Sequence, residues 1–276
     1  MTDMPTPIVD VDWLAQHLGE PELLIFDASN SKQRWQRFIP GALIFDLEVE
    51  MADTSGELDH VMLPMDVFEQ KLRDLGVDDD SRIVVYDDEG IYASPRAWWM
   101  LRAAGLHWVA VLDGGLPAWI AAGNETVAEP GVAGTGSVTL RPEPTAFVDA
   151  DAVAIALNDP RQVVVDARSA DRFEGTGAEK WANTRLGHMP GARNLPFTQI
   201  LDQGHLRPLH QLEELFRPLV GEAERITFSC GSGVTACILA LGADAAGISP
   251  LAVYDGSWQE WGADPKRPVA TGPDVG

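Results

Sequence analysis

A chain of 276 residues is longer than the usual single domain, and its 45% hydrophobic content, with nine tryptophans, can fill packed cores. A formal net charge of −22 repels phosphate backbones and anionic lipids, so we expect neither a nucleic-acid partner nor a membrane partner. The N-terminal residues lack the basic and apolar stretches of a signal peptide, and two cysteines are too few for a disulfide framework. We therefore expect a cytoplasmic protein with reduced thiols.

Along the chain, short β-branched runs alternate with helical patterns, and the same motifs occur twice in the same order. The matched segments of the first and second copies are 24–28 and 164–167, 38–42 and 188–192, 83–88 and 226–230, and 111–119 and 253–261. Four ordered matches indicate a duplication. Strands separated by helices indicate βαβ units, so the predicted fold class is α/β, with two tandem domains that each contain a small parallel sheet flanked by helices.

The composition between the two copies predicts a linker. Residues 124–145 are rich in Gly, Pro, Thr and Glu with little apolar periodicity. We therefore divide the chain into an N-terminal domain at 1–123, a linker at 124–145 and a C-terminal domain at 146–276. In the second copy we predict strands at 162–166, 226–228 and 252–254, and helices at 147–157, 211–216 and 234–246.

The loop between the second copy's middle strand and the next helix carries the chemistry. It begins with Cys230 and continues through Gly231, Ser232, Gly233, Val234 and Thr235. Two glycines allow successive backbone N–H groups to turn toward one point, and a helix N-terminus follows, so the loop can hold an anion. Such surroundings favour the thiolate and could equally hold a persulfide anion. The alternative is a buried structural cysteine at the end of a strand.

Together with the segments 254–261 and 188–192, this loop resembles that of the tandem rhodanese-like sulfurtransferases, and the resemblance covers nearly the whole chain. The Gly-Ser pair after Cys230 is similar to the 3-mercaptopyruvate branch, whereas the thiosulfate branch has two basic residues there. The resemblance implies that Cys230 and Ser232 are catalytic and that no cofactor is needed. It also implies that the N-terminal copy is inactive, with Asp88 in the place of Cys230. A cysteine phosphatase, which also sets a thiolate in an anion-binding loop, would need a phosphate-binding Arg at the position of Ala236. The sequence therefore disfavours a phosphatase.

The resemblance also implies which residues bind a small anionic sulfur donor. Arg172 matches the first substrate-binding Arg of the family, while the second falls on Trp181. Lys180 and Arg185 lie nearby and could substitute for it. The His that the family links to activation of the loop Ser falls on Phe38. Both departures weaken the expectation of an efficient mercaptopyruvate enzyme.

Several other residues are assigned structural roles. Arg168 is expected to form a structural ion pair, and His188 to be a hydrogen-bonded structural residue. Cys237 should face the core, with a resolving thiol as the alternative. The tryptophans expected to fill cores are Trp98, Trp99, Trp258 and Trp261, although Trp258 could also form part of a substrate pocket rim. No Cys/His spacing suggests a metal site.

The reaction implied by the resemblance is transfer of sulfur from 3-mercaptopyruvate through a Cys230 persulfide. The acceptor would be cyanide or a thiol, with thioredoxin the family's usual candidate. Three alternatives remain open: an enzyme of the same fold that prefers thiosulfate, a persulfide carrier acting on a partner protein, and a purely structural module.

Overall fold

The computed structural model describes residues 4, 5 and 7–273. They group into two compact units. The first unit contains the residues up to Asp53, together with Met62–Pro144 and Gln203–Leu206; the second contains Thr54–Val61, Thr145–Asp202 and the residues from Arg207 onward. The segment Thr54–Val61, which lies in the first half of the sequence, therefore belongs to the second unit. We call it the 54–61 segment.

The first unit is built on a parallel sheet. Its strands are β1 (Ile8–Val9), β2 (Leu23–Asp27), β3 (Leu43–Ile44), β4 (Arg82–Tyr86) and β5 (Val109–Leu112), in the spatial order β1-β5-β4-β2-β3. Its helices are α1 (Val11–His17), α2 (Met65–Asp74), α3 (Ser94–Ala103) and α4 (Gly115–Ala121). The central strand β4 is buried along its whole length, as expected for a parallel sheet covered on both faces.

The second unit repeats this architecture. Its sheet contains β6 (Phe147–Val148), β7 (Gln162–Asp166), β8 (Arg193–Asn194), β11 (Arg225–Ser229) and β12 (Leu251–Tyr254), in the order β6-β12-β11-β7-β8. Its helices are α5 (Ala150–Ala156), α6 (Ala170–Glu174), α7 (Leu209–Val220), α8 (Ala236–Ala245) and α9 (Ser257–Ala263). A 3-10 turn (Phe197–Ile200) and the short strand β9 (Leu201–Asp202) complete the second unit, whereas the short strand β10 (His205–Leu206) belongs to the first unit.

Since both sheets are parallel and share one strand order, the predicted duplication and α/β fold class are confirmed. Two predicted helices are wrong at their first turns. Residues 147–148 form β6, and α5 begins only after Asp149, whose carboxylate caps the helix by accepting the Ala152 N–H over 2.8 Å. Helix α8 begins at Ala236 rather than Val234, because the preceding residues belong to the loop. In the described part of the chain, no helix is long and apolar enough to cross a bilayer.

The strand register corrects the match between the two copies. Tyr86 pairs with the last residue of β2 as Ser229 pairs with the last residue of β7. The next residue is Asp87 in the first unit and Cys230 in the second. The counterpart of Cys230 is therefore Asp87, not Asp88, because the first unit has one more residue between this strand end and the helix that follows β5.

Candidate active site

Cys230 directly follows β11, at the carboxyl edge of the sheet, where open α/β sheets place their ligand sites. Its side chain is a thiol with 2% of its surface exposed. Its backbone N–H donates to the hydroxyl of Ser257 over 3.1 Å, and that hydroxyl donates to the Tyr254 carbonyl over 2.8 Å. The Cys230 sulfur lies 4.0 Å from Ser257 Oγ. The first residue of α9 thus fixes the backbone that carries the thiol.

Helix α9 also binds the carbonyl oxygens at the start of the loop. The N–H of Trp258 donates to the Cys230 carbonyl over 3.0 Å, and that of Gln259 donates to the Gly231 carbonyl over 2.9 Å. Two successive loop carbonyls are therefore engaged by one helix. This arrangement uses the N–H groups at the start of α9, which would otherwise lack intrahelical acceptors.

The N–H groups further along the loop are available to a ligand. Gly233 has a φ of +78°, which lies in the left-handed region that favours glycine and turns the chain toward α8. Within the described residues, the backbone N–H groups of Ser232, Val234 and Thr235 have no hydrogen-bond acceptor. Open N–H donors at a strand-to-helix turn are suited to bind an anion next to the neighbouring cysteine.

The first unit fills the equivalent loop with its own carboxylate. Asp87 is buried, and its Oδ2 accepts the backbone N–H groups of Tyr92, Ala93 and Ser94 over 2.8–3.0 Å. The Ser94 hydroxyl donates to the same oxygen over 2.6 Å, and Oδ1 accepts the Glu89 N–H over 2.9 Å. The Asp87 side chain therefore takes up the donors of the first unit's loop, whereas the second unit's loop leaves donors open around a thiol.

Ser232 has a partner that the sequence did not reveal. Its hydroxyl lies 3.2 Å from Nδ1 of His60, in the 54–61 segment of the same unit. His60 has a φ of +61°, a backbone conformation that residues other than glycine adopt rarely and that is often found at functional positions. The expectation that this histidine position falls on Phe38 is wrong, because Phe38 is a buried core residue of the first unit. A His therefore does reach the loop Ser.

Gln259 holds the 54–61 segment in place. Its amide oxygen accepts the N–H of Asp59 over 3.0 Å, and its amide nitrogen donates to the Glu57 carbonyl over 3.3 Å. The same residue donates its backbone N–H to Gly231, so one side chain and its own backbone join the segment and the loop. Gln259 is 7% exposed, which makes the loss of either amide hydrogen bond costly.

Arg172, on α6, lies beside the loop. Its Nη2 is 3.2 Å from the point that a Cβ on Gly231 would occupy, and it donates to Glu179 Oε2 over 2.6 Å. Arg172 Nε is buried and has no acceptor among the described residues. The side chain keeps 27% of its surface exposed, so a donor remains for an anionic ligand.

Arg168 completes the network behind Arg172. Its guanidinium binds Asp166 over 2.6 Å and the other oxygen of Glu179 over 2.7 Å, and it lies 4.5 Å over the Trp258 ring. The side chains of Arg168 and Asp166 are fully buried, and that of Glu179 is 2% exposed. The predicted structural ion pair of Arg168 is confirmed.

Trp181 is the second side chain against the loop. Two carbons of its six-membered ring lie 2.9 and 3.1 Å from the Cβ point of Gly231, and its indole N–H donates to Asp59 Oδ2 over 2.9 Å. The ammonium of Lys180 lies 5.3 Å from the ring centroid on an exposed side chain. Only a residue without a Cβ could stand between this indole and Arg172.

Arg185 lies apart from the loop contacts made by Arg172. Its Nε donates to the Gly262 carbonyl over 2.9 Å, and its Nη2 donates to the carbonyls of Trp261, over 3.2 Å, and Asp264. A cation on the last carbonyls of α9 caps that helix. The guanidinium therefore already has backbone partners.

The remaining structural assignments are confirmed. Cys237 is fully buried, and its thiol contacts the Gly233 carbonyl at 3.2 Å. His188 stacks on Phe173 at a centroid distance of 3.8 Å, with Nδ1 2.8 Å from the Phe173 carbonyl. The tryptophans expected in cores are all buried: Trp98, Trp99, Trp258 and Trp261.

The arrangement combines a buried thiol, open N–H donors, one half-exposed guanidinium and a Ser–His pair. These groups suit nucleophilic attack by sulfur on a small anionic molecule, with developing negative charge met by fixed donors. The fold and the loop together define the class, an α/β protein of two repeated domains in which one copy has a buried cysteine after its middle strand and the other copy has an aspartate there.

The comparison with protein families gives this class its name. The model of the rhodanese-like domain matches residues 10–122 and again residues 149–264. The chain therefore belongs to the rhodanese-like family and contains two copies of its domain.

Relatives of nearly the same length carry sulfurtransferase names. The chain is 35% identical to a 3-mercaptopyruvate sulfurtransferase from Escherichia coli, over 96% of this chain and 98% of that one. It is 35% identical to a thiosulfate sulfurtransferase from Gallus gallus, over 92% of each chain. The crystal structure of SseA, a 3-mercaptopyruvate sulfotransferase from Escherichia coli, superposes with a TM-score of 0.82 and 33% identity, covering 92% of this chain and 99% of that one.

Proposed function

We propose that the protein moves sulfane sulfur from 3-mercaptopyruvate to cyanide or a thiol through a persulfide on Cys230. The observation that carries this proposal is the loop itself, in which a buried thiol stands beside open N–H donors and Arg172. The sulfurtransferase names of full-length relatives support it.

In the first step the Cys230 thiolate attacks the sulfur of the donor. An S–S bond forms while the donor's C–S bond breaks, and the electron pair of that bond passes to carbon. The products are a persulfide on Cys230 and the enolate of pyruvate, which takes up a proton. Arg172 binds the donor carboxylate with the guanidinium donors that Glu179 leaves open.

The Ser232–His60 pair meets the charge that develops on the donor's carbonyl oxygen. With Nδ1 of His60 protonated, the imidazole donates to Ser232 Oγ, and the Ser hydrogen is directed at that oxygen. The loop N–H groups of Ser232, Val234 and Thr235 hold the persulfide anion. Lys180 contributes positive charge from the exposed side of Trp181, whereas Arg185 acts through the end of α9.

In the second step an acceptor attacks the outer sulfur of the persulfide. The S–S bond breaks, and the Cys230 thiolate is restored. A dithiol protein such as thioredoxin would release the transferred sulfur by forming its own disulfide. We propose the cytoplasm as the site of action, where thiol acceptors are kept reduced. We also propose that residues 1–123 form an inactive domain and residues 146–276 a catalytic domain, joined by the linker 124–145, with the 54–61 segment adding His60 to the catalytic unit.

The test compares both donors on one preparation. We expect 3-mercaptopyruvate to add the mass of one sulfur atom to the chain and to support repeated turnover with cyanide. Cys230→Ser should lose both signals, while Cys237→Ser, the matched control, should keep them. Sulfur transfer that persists without Cys230 would refute the proposal.

A thiosulfate enzyme and a persulfide carrier give different results in the same assay. Faster turnover with thiosulfate than with 3-mercaptopyruvate would identify a thiosulfate enzyme. The similarity to a thiosulfate sulfurtransferase from Gallus gallus is the reason to test this alternative. One added sulfur without repeated turnover would identify a persulfide carrier.

A further inference from the structure

The charges around the loop balance one another. Behind the loop, Arg172 and Arg168 are matched by Glu179 and Asp166, with each Arg in contact with Glu179. Since the two cations are already paired, the network presents no excess positive charge to a ligand. This balance stands within a chain whose net charge is −22.

On the exposed side of the site, one negative and one positive side chain also offset each other. Asp59 places a carboxylate 2.9 Å from the indole nitrogen of Trp181, and Lys180 places one ammonium 5.3 Å from the ring centroid. A doubly charged anion would therefore find one half-exposed guanidinium, one solvated ammonium and a nearby negative charge. A singly charged organic anion needs only the guanidinium.

Trp181 offers contact for the rest of an organic molecule. Its six-membered ring lies against Gly231, the residue after the nucleophile, and the bond to Asp59 fixes the orientation of the ring. Asp59 is itself held through its N–H by the buried Gln259 amide. The ring is thus a fixed apolar surface beside the thiol rather than a mobile side chain.

We propose that the Trp181–Asp59 pair determines specificity, selecting monoanionic organic ligands over inorganic dianions at the Cys230 loop. The inference builds on the proposed function, because it explains a preference between donors at that same site. The aromatic ring supplies apolar contact, and the carboxylate that orients the ring repels a second negative charge.

The test measures ligand selection without requiring turnover. The thiol of Cys230 is alkylated with iodoacetamide, and protection is titrated with pyruvate, a monoanion, and with sulfate, a dianion. In the wild-type protein we expect pyruvate to protect at lower concentration than sulfate. In Trp181→Arg the ratio of the two protection constants should shift toward sulfate by about tenfold or more, because a cation replaces the ring beside the loop.

Two further variants separate charge from shape. Asp59→Asn keeps an acceptor for the indole N–H but removes the charge, and should shift the ratio toward sulfate by roughly threefold or more. Trp181→Phe keeps an aromatic ring without adding charge but loses the hydrogen bond to Asp59, so it should shift the ratio toward sulfate by less than Trp181→Arg does. Because Asp59→Asn retains Trp181, the proposal can be tested even if Trp181→Arg folds poorly.

The outcomes separate this inference from the proposed function. An unchanged protection ratio in Asp59→Asn and in folded Trp181→Arg would overturn the specificity role, whatever the turnover. The expected shifts in a protein that accepts sulfur from neither donor would support the specificity role and refute the proposed function. With active protein, the ratio of kcat/KM for thiosulfate and 3-mercaptopyruvate should shift in the same direction as the protection ratio.

Discussion

Each copy has a buried aspartate at the end of an equivalent strand, but only the second copy pairs it with an arginine. This difference predicts that the stability of the protein depends on pH. Asp27 ends β2 as Asp166 ends β7, and both are buried. Asp166 is paired with Arg168, but two residues after Asp27 the chain has Ser29. The Asp27 carboxylate accepts hydrogen bonds from Ser29 and from the Tyr86 hydroxyl. Burial, only partly offset by these bonds, raises the pKa of Asp27 to about 6.

The direction in which stability changes with pH follows from the pKa of Asp27 in the folded and unfolded states. The folded pKa of about 6 lies above the ordinary value of 3.8, so the folded state holds its proton through a pH range in which the unfolded chain has lost it. Ionised Asp27 therefore costs stability progressively as pH rises from about 4, and the full cost is reached above about pH 6. At about 1.36 kcal/mol per pKa unit, the cost is roughly 3 kcal/mol at pH 8 and about half of that at pH 5.

Asp27→Asn should remove this cost, because the amide does not titrate. The difference in free energy of unfolding between the variant and wild type should therefore increase by about 1.5 kcal/mol, in favour of the variant, as the pH is raised from 5 to 8. Urea unfolding at several pH values in this range provides the measurement, above the isoelectric point near 4.4. Asp159→Asn is the matched control, because hydrogen bonds from Arg161 lower the pKa of Asp159 to about 2 and keep its carboxylate ionised throughout. A difference between Asp27→Asn and wild type that does not change with pH would refute the reasoning.

Three further predictions concern the second unit. Arg168→Met should lower the free energy of unfolding by about 3–5 kcal/mol in urea titrations, because it leaves the carboxylates of Asp166 and Glu179 buried without their cation. His60→Ala should reduce kcat with 3-mercaptopyruvate by about tenfold to a hundredfold in steady-state assays, while alkylation of Cys230 continues. Gln259→Leu should reduce kcat/KM by about tenfold, because the 54–61 segment loses two hydrogen bonds, and hydrogen exchange should show faster exchange in that segment.

Local patterns in the sequence were sufficient to predict the fold and the position of Cys230 after a strand. Repeated motifs at matched spacings predicted two copies of one parallel sheet, since β-branched runs and helical periodicity depend on neighbouring residues alone. The position of Cys230 followed from the same logic, because a cysteine between a strand and a Gly-rich turn lies at the carboxyl edge of its sheet. The wrong assignment of Asp88 came from counting residues where the first unit has one extra.

The partners of the loop could not be predicted, because they come from distant parts of the chain. His60 lies 172 residues before Ser232. Asp59 lies 122 residues before Trp181. Neither belongs to a repeated motif or a regular element, and the acidic 54–61 segment has the composition of an ordinary surface loop. Only tertiary structure shows that Gln259 holds this segment beside the Cys230 loop.

The most direct test of the account is the mass of the protein after exposure to a sulfur donor. Wild-type chain incubated with 3-mercaptopyruvate and then freed of donor should gain one sulfur atom, and peptide mapping should locate it on Cys230. Addition of cyanide should return the original mass and release one equivalent of thiocyanate. Added sulfur on Cys237 instead, or an unchanged mass with every donor tried, would contradict the account.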